Sequence, residues 1–152
     1  MVEAAGGGTD EVRTALSGYT LGHEVENLVF TGTGAFRGWG NSLANAMRGG
    51  AAADTLGGEA GADTLAGGLG NDILYGHAGA DTYLYAAGDG ADWIVEYGWQ
   101  ASEIDRLRLN GIRASDVTVA RSGRDAILRF TMGGSVTLRE QFSGWTGDGI
   151  DE

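Results

Sequence analysis

Through the middle of the chain a large apolar residue returns every nine positions, at Leu56, Leu65, Leu74 and Tyr83. Between these lie stretches dominated by glycine, alanine and asparagine or aspartate. The pattern predicts a very short strand, its central side chain turned inward, followed by a six-residue turn. One such block makes half a coil, so two blocks make a full turn of about 18 residues. Blocks one apart then fall on opposite edges, and blocks two apart stack on the same edge.

Aligned by this period, the chain repeats itself. Gly49 to Gly57 is followed by Gly58 to Ala66, Gly67 to Tyr75 and Gly76 to Leu84. Aspartate stands at 54, 63, 72 and 81, always two positions before the apolar residue. A further copy, Gly88-Asp89-Gly90-Ala91-Asp92-Trp93-Ile94, follows a two-residue slip near Tyr85-Ala86-Ala87. Upstream, Gly40 to Arg48 keeps the phase, with Asn45 in the aspartate place and Met47 in the apolar one. Leu28 to Phe30 reads as a strand before a glycine turn, and Val12 and Tyr19-Thr20-Leu21 as more degenerate coils.

After the array the pattern changes. Arg106 to Leu109, Val117 to Ala120 and Ala126 to Met132 read as half-buried antiparallel strands. Gly133-Gly134 makes a hairpin turn into Ser135 to Arg139, and Ser122 to Asp125 makes another tight connection. Stacked coils leave an open apolar end that needs covering, so these strands are expected to cap the roll. The aromatic residues Tyr83, Tyr85, Trp93, Tyr97 and Trp99 coincide with that end and are expected in core and cap packing. The expected architecture is all-β: a right-handed parallel β-roll followed by a small antiparallel β cap. Its parts are degenerate N-terminal coils over 1–39, the roll over 40–95, and the cap over 96–152, cut short before a further strand.

Composition sharpens this picture. The chain of 152 residues holds 29 glycines and no proline or cysteine, with 42% hydrophobic residues. A flexible glycine linker lacks such a regular apolar pattern. Without cysteine there is no disulfide framework, thiolate zinc site or cysteine nucleophile. The formal charge of −11 argues against nucleic acid and against anionic membrane surfaces. It suits divalent cations, although net charge alone equally suits solubility. No apolar stretch approaches a membrane span, and Met1 to Asp10 shows no cleavable signal. Export would therefore use another address or a longer precursor.

The register carries the chemistry. Asp63 and Asp81 fall on one edge, with Asn45 at its start; Asp54, Asp72 and Asp92 fall on the other. Carboxylates one strand spacing apart, about 4.8 Å, repel each other. A hard dication between consecutive turns resolves this. Calcium accepts six to eight oxygens in irregular geometry, whereas magnesium demands a stricter octahedron. Zinc prefers nitrogen or sulfur, and only His23 and His77 are present; His77 is expected to point to solvent. An Asn45–Asp63 site lacks a charge and should be weak or empty. Aspartate and glycine are also ordinary turn residues, and an isolated pair would mean nothing more. A phased array is different.

These blocks resemble the RTX (haemolysin-type calcium-binding) nonapeptide, G-G-x-G-x-D-x-U-x with U a large apolar residue; Gly67 to Tyr75 matches throughout, while Ala52, Glu59 and His77 replace glycines. The resemblance spans roughly residues 22 to 145. It implies several Ca²⁺ ions, each held by carbonyls and one aspartate oxygen from each of two stacked turns. The carbonyls would come from Gly49, Ala51, Gly58, Ala60, Gly61, Gly67, Gly68, Leu69, Gly70, Gly76, Ala78, Gly79, Gly88 and Gly90. It also implies a secreted or cell-surface bacterial protein, exported unfolded by type I secretion machinery and folding on calcium outside.

With no HExxH, no G-x-S-x-G and no plausible triad, the chain is not expected to be an enzyme itself. It could equally serve as accessory module of a secreted enzyme, or as an adhesin segment meeting glycans or proteins, for instance through Trp99 or Trp145.

Overall fold

The computed structural model describes residues 8–97 and 103–140. The chain winds into a β-solenoid of about five turns, its strands falling alternately on two parallel sheets. One sheet collects β1 (Glu11–Thr14), β3 (Asn27–Phe30), β5 (Ala46–Arg48), β7 (Thr64–Ala66), β9 (Thr82–Ala86) and β11 (Arg106–Asn110). The other collects β2 (Gly18–Thr20), β4 (Arg37–Asn41), β6 (Thr55–Ala60), β8 (Ile73–Ala78) and β10 (Ala91–Val95). It continues into an antiparallel meander of β12 (Val117–Ser122), β13 (Asp125–Phe130) and β14 (Ser135–Leu138).

The register follows the repeat. Leu65 pairs with Met47 on one side and Tyr83 on the other, while Leu56 and Ile94 flank Leu74 in the second sheet. These side chains are buried between the sheets in one continuous core. Each fully buried leucine contributes about 1.5–3 kcal/mol, which is why so short a strand can be held at all. Several strands of the second sheet are longer than the three residues expected. β6 and β8 run six residues each, so that Gly58 and Gly76 lie within the strands and Ala60 pairs with Ala78.

Upstream, parallel pairing extends back to Glu11, with Val12 beside Leu28 and Tyr19 beside Gly38. The turn before β4 inverts the repeat chemistry. Phe36 occupies the aspartate place and Gly38 the apolar one. The Phe36 ring is buried and stacks on Phe30 at 4.5 Å, filling the space that a side chain at 38 would need. The core is thus maintained by an aromatic two positions early, a substitution that hides the period from the sequence.

Two expectations need correction. Arg106 to Leu109 is not an antiparallel cap strand. It lies in β11, parallel to β9, with Leu107 beside Tyr83. Apolar alternation marks a half-buried strand but not its direction, and this strand adds a further parallel rung beyond residue 95. The aromatic residues also divide. Tyr83 and Tyr85 are buried, but Trp93 is 45% and Tyr97 58% exposed. In β10 the alternation turns Asp92 and Ile94 inward and Trp93 outward, where Arg139 lies over its ring at 4.9 Å. Trp99 and Trp145 lie outside the described residues.

The meander attaches by a parallel pairing. β14 lies beside β10, with Val136 opposite Asp92, and Phe130 stacks on Tyr85 at 4.8 Å. No helix among the described residues is long and apolar enough to cross a membrane.

Candidate metal centre

Each aspartate of the array stands just before, or within, an inward-facing strand, so the stacking of strands stacks the carboxylates. On one edge, Oδ1 of Asp54 accepts from the Phe36 amide at 2.8 Å, Oδ1 of Asp72 from Asp54 at 2.8 Å, and Oδ1 of Asp92 from Asp72 at 3.0 Å. On the other, Asp63 accepts from Asn45 at 2.7 Å, Asp81 from Asp63 at 2.8 Å, and Asp105 from Asp81 at 2.9 Å. The two edges therefore carry the aspartates grouped by the 18-residue turn. The slip before Asp92 is absorbed locally. Asp89 accepts the Ala86 amide, the Tyr85 hydroxyl donates to the Gly90 carbonyl, and Gly90 bridges to Gly70.

Asp105 is a ladder member outside the nine-residue phase, 24 residues beyond Asp81. The signal that could have found it is short: Asp105-Arg106-Leu107 repeats the order aspartate, any residue, large apolar residue.

The ladder uses one oxygen of each carboxylate. The other is left over. Oδ2 of Asp63, Asp72 and Asp81 is buried without a hydrogen-bond partner. A buried carboxylate oxygen with nothing to accept from costs about 1–3 kcal/mol or more and calls for an explanation. Each orphan sits over the first glycine of its own block. A Cβ added at Gly58, Gly67 or Gly76 would collide with Oδ2 of Asp63, Asp72 or Asp81 respectively. At Gly49 the same spot faces both Oδ2 of Asp54 and the Gly67 carbonyl of the next turn. At Gly49, carboxylate and carbonyl oxygens from stacked turns thus converge on space that only glycine leaves open. Where the second glycine of a block is replaced, Glu59 and His77 still adopt φ of 81° and 72°, the left-handed conformation that Gly68 takes at 97°.

Burial is the largest influence on these groups. It pushes Asp63, Asp72 and Asp92 up to about 7, against a smaller opposing pull from the amide of the preceding turn; neighbouring carboxylates push in the same direction as burial. Asp81 is raised by burial as well. Burial thus makes Asp63, Asp72, Asp81 and Asp92 harder to ionise than free aspartates.

The donors fit calcium. They are oxygens alone, anionic and carbonyl mixed, in turns of irregular shape. The histidines stand apart: His23 is exposed, and His77, rather than pointing to solvent, stacks in a cluster with Tyr75 and Tyr97, at 5.7 and 6.0 Å from their rings. Its ring shares the outer face of the second sheet with Trp39 and Tyr75. Asn45 differs from the aspartates. Its Oδ1 accepts from Asn41 and its Nδ2 is within reach of the Val25 and Glu26 carbonyls, so nothing on it is left over.

Comparison with known families agrees with this geometry. Residues 39–74, 48–83 and 57–94 each match the model of the RTX calcium-binding nonapeptide repeat in four copies. Residues 39–94 are RTX repeats. No curated protein matches the chain. The RTX segment contains every ladder aspartate from Asp54 to Asp92, and with it Asn45, but leaves out Asp105. Its placement in a β-solenoid supports a calcium-binding β-roll module.

Proposed function

We propose that the chain is a calcium-binding β-roll of a secreted protein, ordered by the ions it takes up after export. The observation that carries this reading is the set of buried, unpartnered Oδ2 atoms, at Asp63 and Asp81 on one edge and at Asp72 on the other. The ions would lie between stacked turns, shared by Asp54 and Asp72, by Asp63 and Asp81, and by Asp72 and Asp92. Carbonyls in the turns 49–51, 58–61, 67–70, 76–79 and 88–90 would complete the shells. At Asn45 the missing charge and the satisfied amide favour a weak or vacant site.

The chain's own residues supply the rest of the mechanism. Glycines hold the turns open, Oδ1 atoms and amides lock successive turns together, and the inward leucines close the core. Bound calcium would neutralise the carboxylates. Without it, buried charge opposes a fold whose strands are too short to offset chain entropy by themselves. Each independent site at a hundredfold excess over Kd adds about 2.7 kcal/mol. Extracellular calcium sites commonly work at about 10⁻⁴–10⁻³ M, so a chain unfolded in the cytosol would fold outside. The repeats act as a structural module in this reading; any catalytic activity would reside elsewhere in a larger protein.

Circular dichroism in chelator and in calcium tests the coupling. Disorder without metal and a β spectrum with it are expected. A full β spectrum in excess chelator would refute calcium-driven folding.

A further inference from the structure

We propose that Asp81, Glu96 and Asp105 form an additional divalent-cation site at the last turn of the roll, of the calcium class, drawing two of its three carboxylates from outside the repeats. The inference rests on the calcium reading of the roll for the kind of ion, but not for the ligands.

One carboxylate oxygen from each of the three residues lies within 4.8 Å of the others. Proximity of acids is common, and the decisive atom is Oδ2 of Asp81. The residue is 0% exposed, Oδ1 is engaged by the Asp63 amide, and Oδ2 has no partner. It is aimed at the other ligands. A Cβ placed on Gly76 would collide with Oδ2 of Asp81 and the Tyr83 hydroxyl, and would stand 2.6 Å from Oε1 of Glu96. At Gly49 the equivalent spot faces the glycine carbonyl of the following turn, Gly67. Glu96 thus puts a carboxylate oxygen where that earlier turn offers a neutral carbonyl.

The setting holds Glu96 there. The Tyr83 hydroxyl, buried in the core, donates to its Oε1. Asp105 is tied by the Asp81 amide at 2.9 Å. A cleft lined by Tyr83, Glu96, Glu103, Asp105 and Arg106 opens beside two of the three carboxylates. Three carboxylates without nitrogen or sulfur select a hard cation, and the extra charge favours tighter binding than at a two-carboxylate repeat site. The position gives it a structural task. Asp81 precedes β9, Glu96 follows β10, and Asp105 precedes β11, so one ion would clamp three consecutive strands from both sheets and fasten the non-repeat turn onto the array.

The test is calorimetric titration of the full chain with Ca²⁺, comparing the unaltered protein with the isosteric double variant Glu96→Gln, Asp105→Asn. The expected result is one ion fewer, or one ion at least tenfold weaker, with the remaining sites retained. Unchanged stoichiometry and affinity in a variant that still binds calcium overturn this site and leave the repeat reading standing. Absence of calcium binding by the unaltered chain overturns both. Should the variant fail to fold, anomalous scattering from calcium-grown crystals of the unaltered chain decides: density among the three carboxylates supports the site, and density confined to the repeat turns overturns it.

Discussion

The amide of Asp54 donates to Oδ1 of Asp72 across 2.8 Å, while Oδ2 of Asp72, in a residue only 1% exposed, accepts from nothing. One carboxylate therefore has two separable duties. Its first oxygen joins neighbouring turns through a backbone amide. Its second has no protein partner to replace the water it lost.

Replacing Asp72 separates the duties. Asp72→Asn keeps an oxygen able to accept the Asp54 amide but removes the charge. The calcium midpoint for folding should rise by about tenfold or more, since affinity in such sites follows the number of charged ligands. Asp72→Ala should be worse by a further ~1–3 kcal/mol, because the buried Asp54 amide then loses its acceptor. Calcium titrations followed by circular dichroism give both numbers. Equal midpoints for the two variants would contradict the ladder role.

Acidity should act in opposite directions on the empty and the loaded roll. Asp63, Asp72 and Asp92 are raised from 3.8 to about 7 by burial, so the folded metal-free chain binds protons more tightly than the unfolded chain. The stabilisation this gives is complete below the unfolded value and disappears as pH rises through about 7. In chelator, β structure should therefore be greater at pH 5 than at pH 8. Calcium must displace those protons, so its apparent affinity should fall as pH drops from 8 to 6. A chelated chain that gains structure on going from pH 5 to 8 would contradict this.

The roll was legible in the sequence because the two residue types that matter, an aspartate and an apolar residue two places on, keep one phase from Asp54 to Tyr83. Departures from that phase were not. Phe36 and Gly38 exchange the polar and apolar roles, so the coil is regular in space but irregular in sequence. Asp105 keeps the local order but lies 24 residues from Asp81, and only the shape of the intervening turn brings it back onto the edge. The direction of β11 was misread for a related reason. Alternation in Arg106 to Leu109 reports which side is buried, and parallel or antiparallel pairing depends on where the preceding turn delivers the strand. The outer placement of Trp93 follows from its alternation with the inward Asp92 and Ile94 in β10 rather than from its position in the array.

The glycine cradle can be probed without removing a ligand oxygen. Gly67→Ala places a methyl against Oδ2 of Asp72, whereas Gly34→Ala meets no atom within 4 Å and needs no unusual φ. The first should cost about 1–3 kcal/mol through overpacking and weaken calcium binding with it. The second should stay within about 0.5 kcal/mol of the parent. Urea unfolding in saturating calcium measures the difference, and similar losses at both positions would remove the argument for a shaped cavity.

The cap makes a separate contribution to stability. Phe130 is 7% exposed and stacks on Tyr85 at 4.8 Å, and the Tyr85 hydroxyl donates to the Gly90 carbonyl at the slipped turn. This chain of contacts links the antiparallel meander to the turn that brings Asp92 into the ladder. Phe130→Ala should cost about 3 kcal/mol from lost burial and the cavity left beside Tyr85. Tyr85→Phe keeps the stacking and should cost only ~0.5–1.5 kcal/mol for the hydrogen bond. Their effects on metal should be ordered differently from their effects on stability. Tyr85→Phe acts on the turn that positions Asp92, so it should weaken calcium binding more per kcal/mol of stability lost than Phe130→Ala does. Calorimetric titration paired with urea unfolding for both variants checks the ordering, and an affinity loss that simply tracks stability would show that the cap serves the roll only as cover.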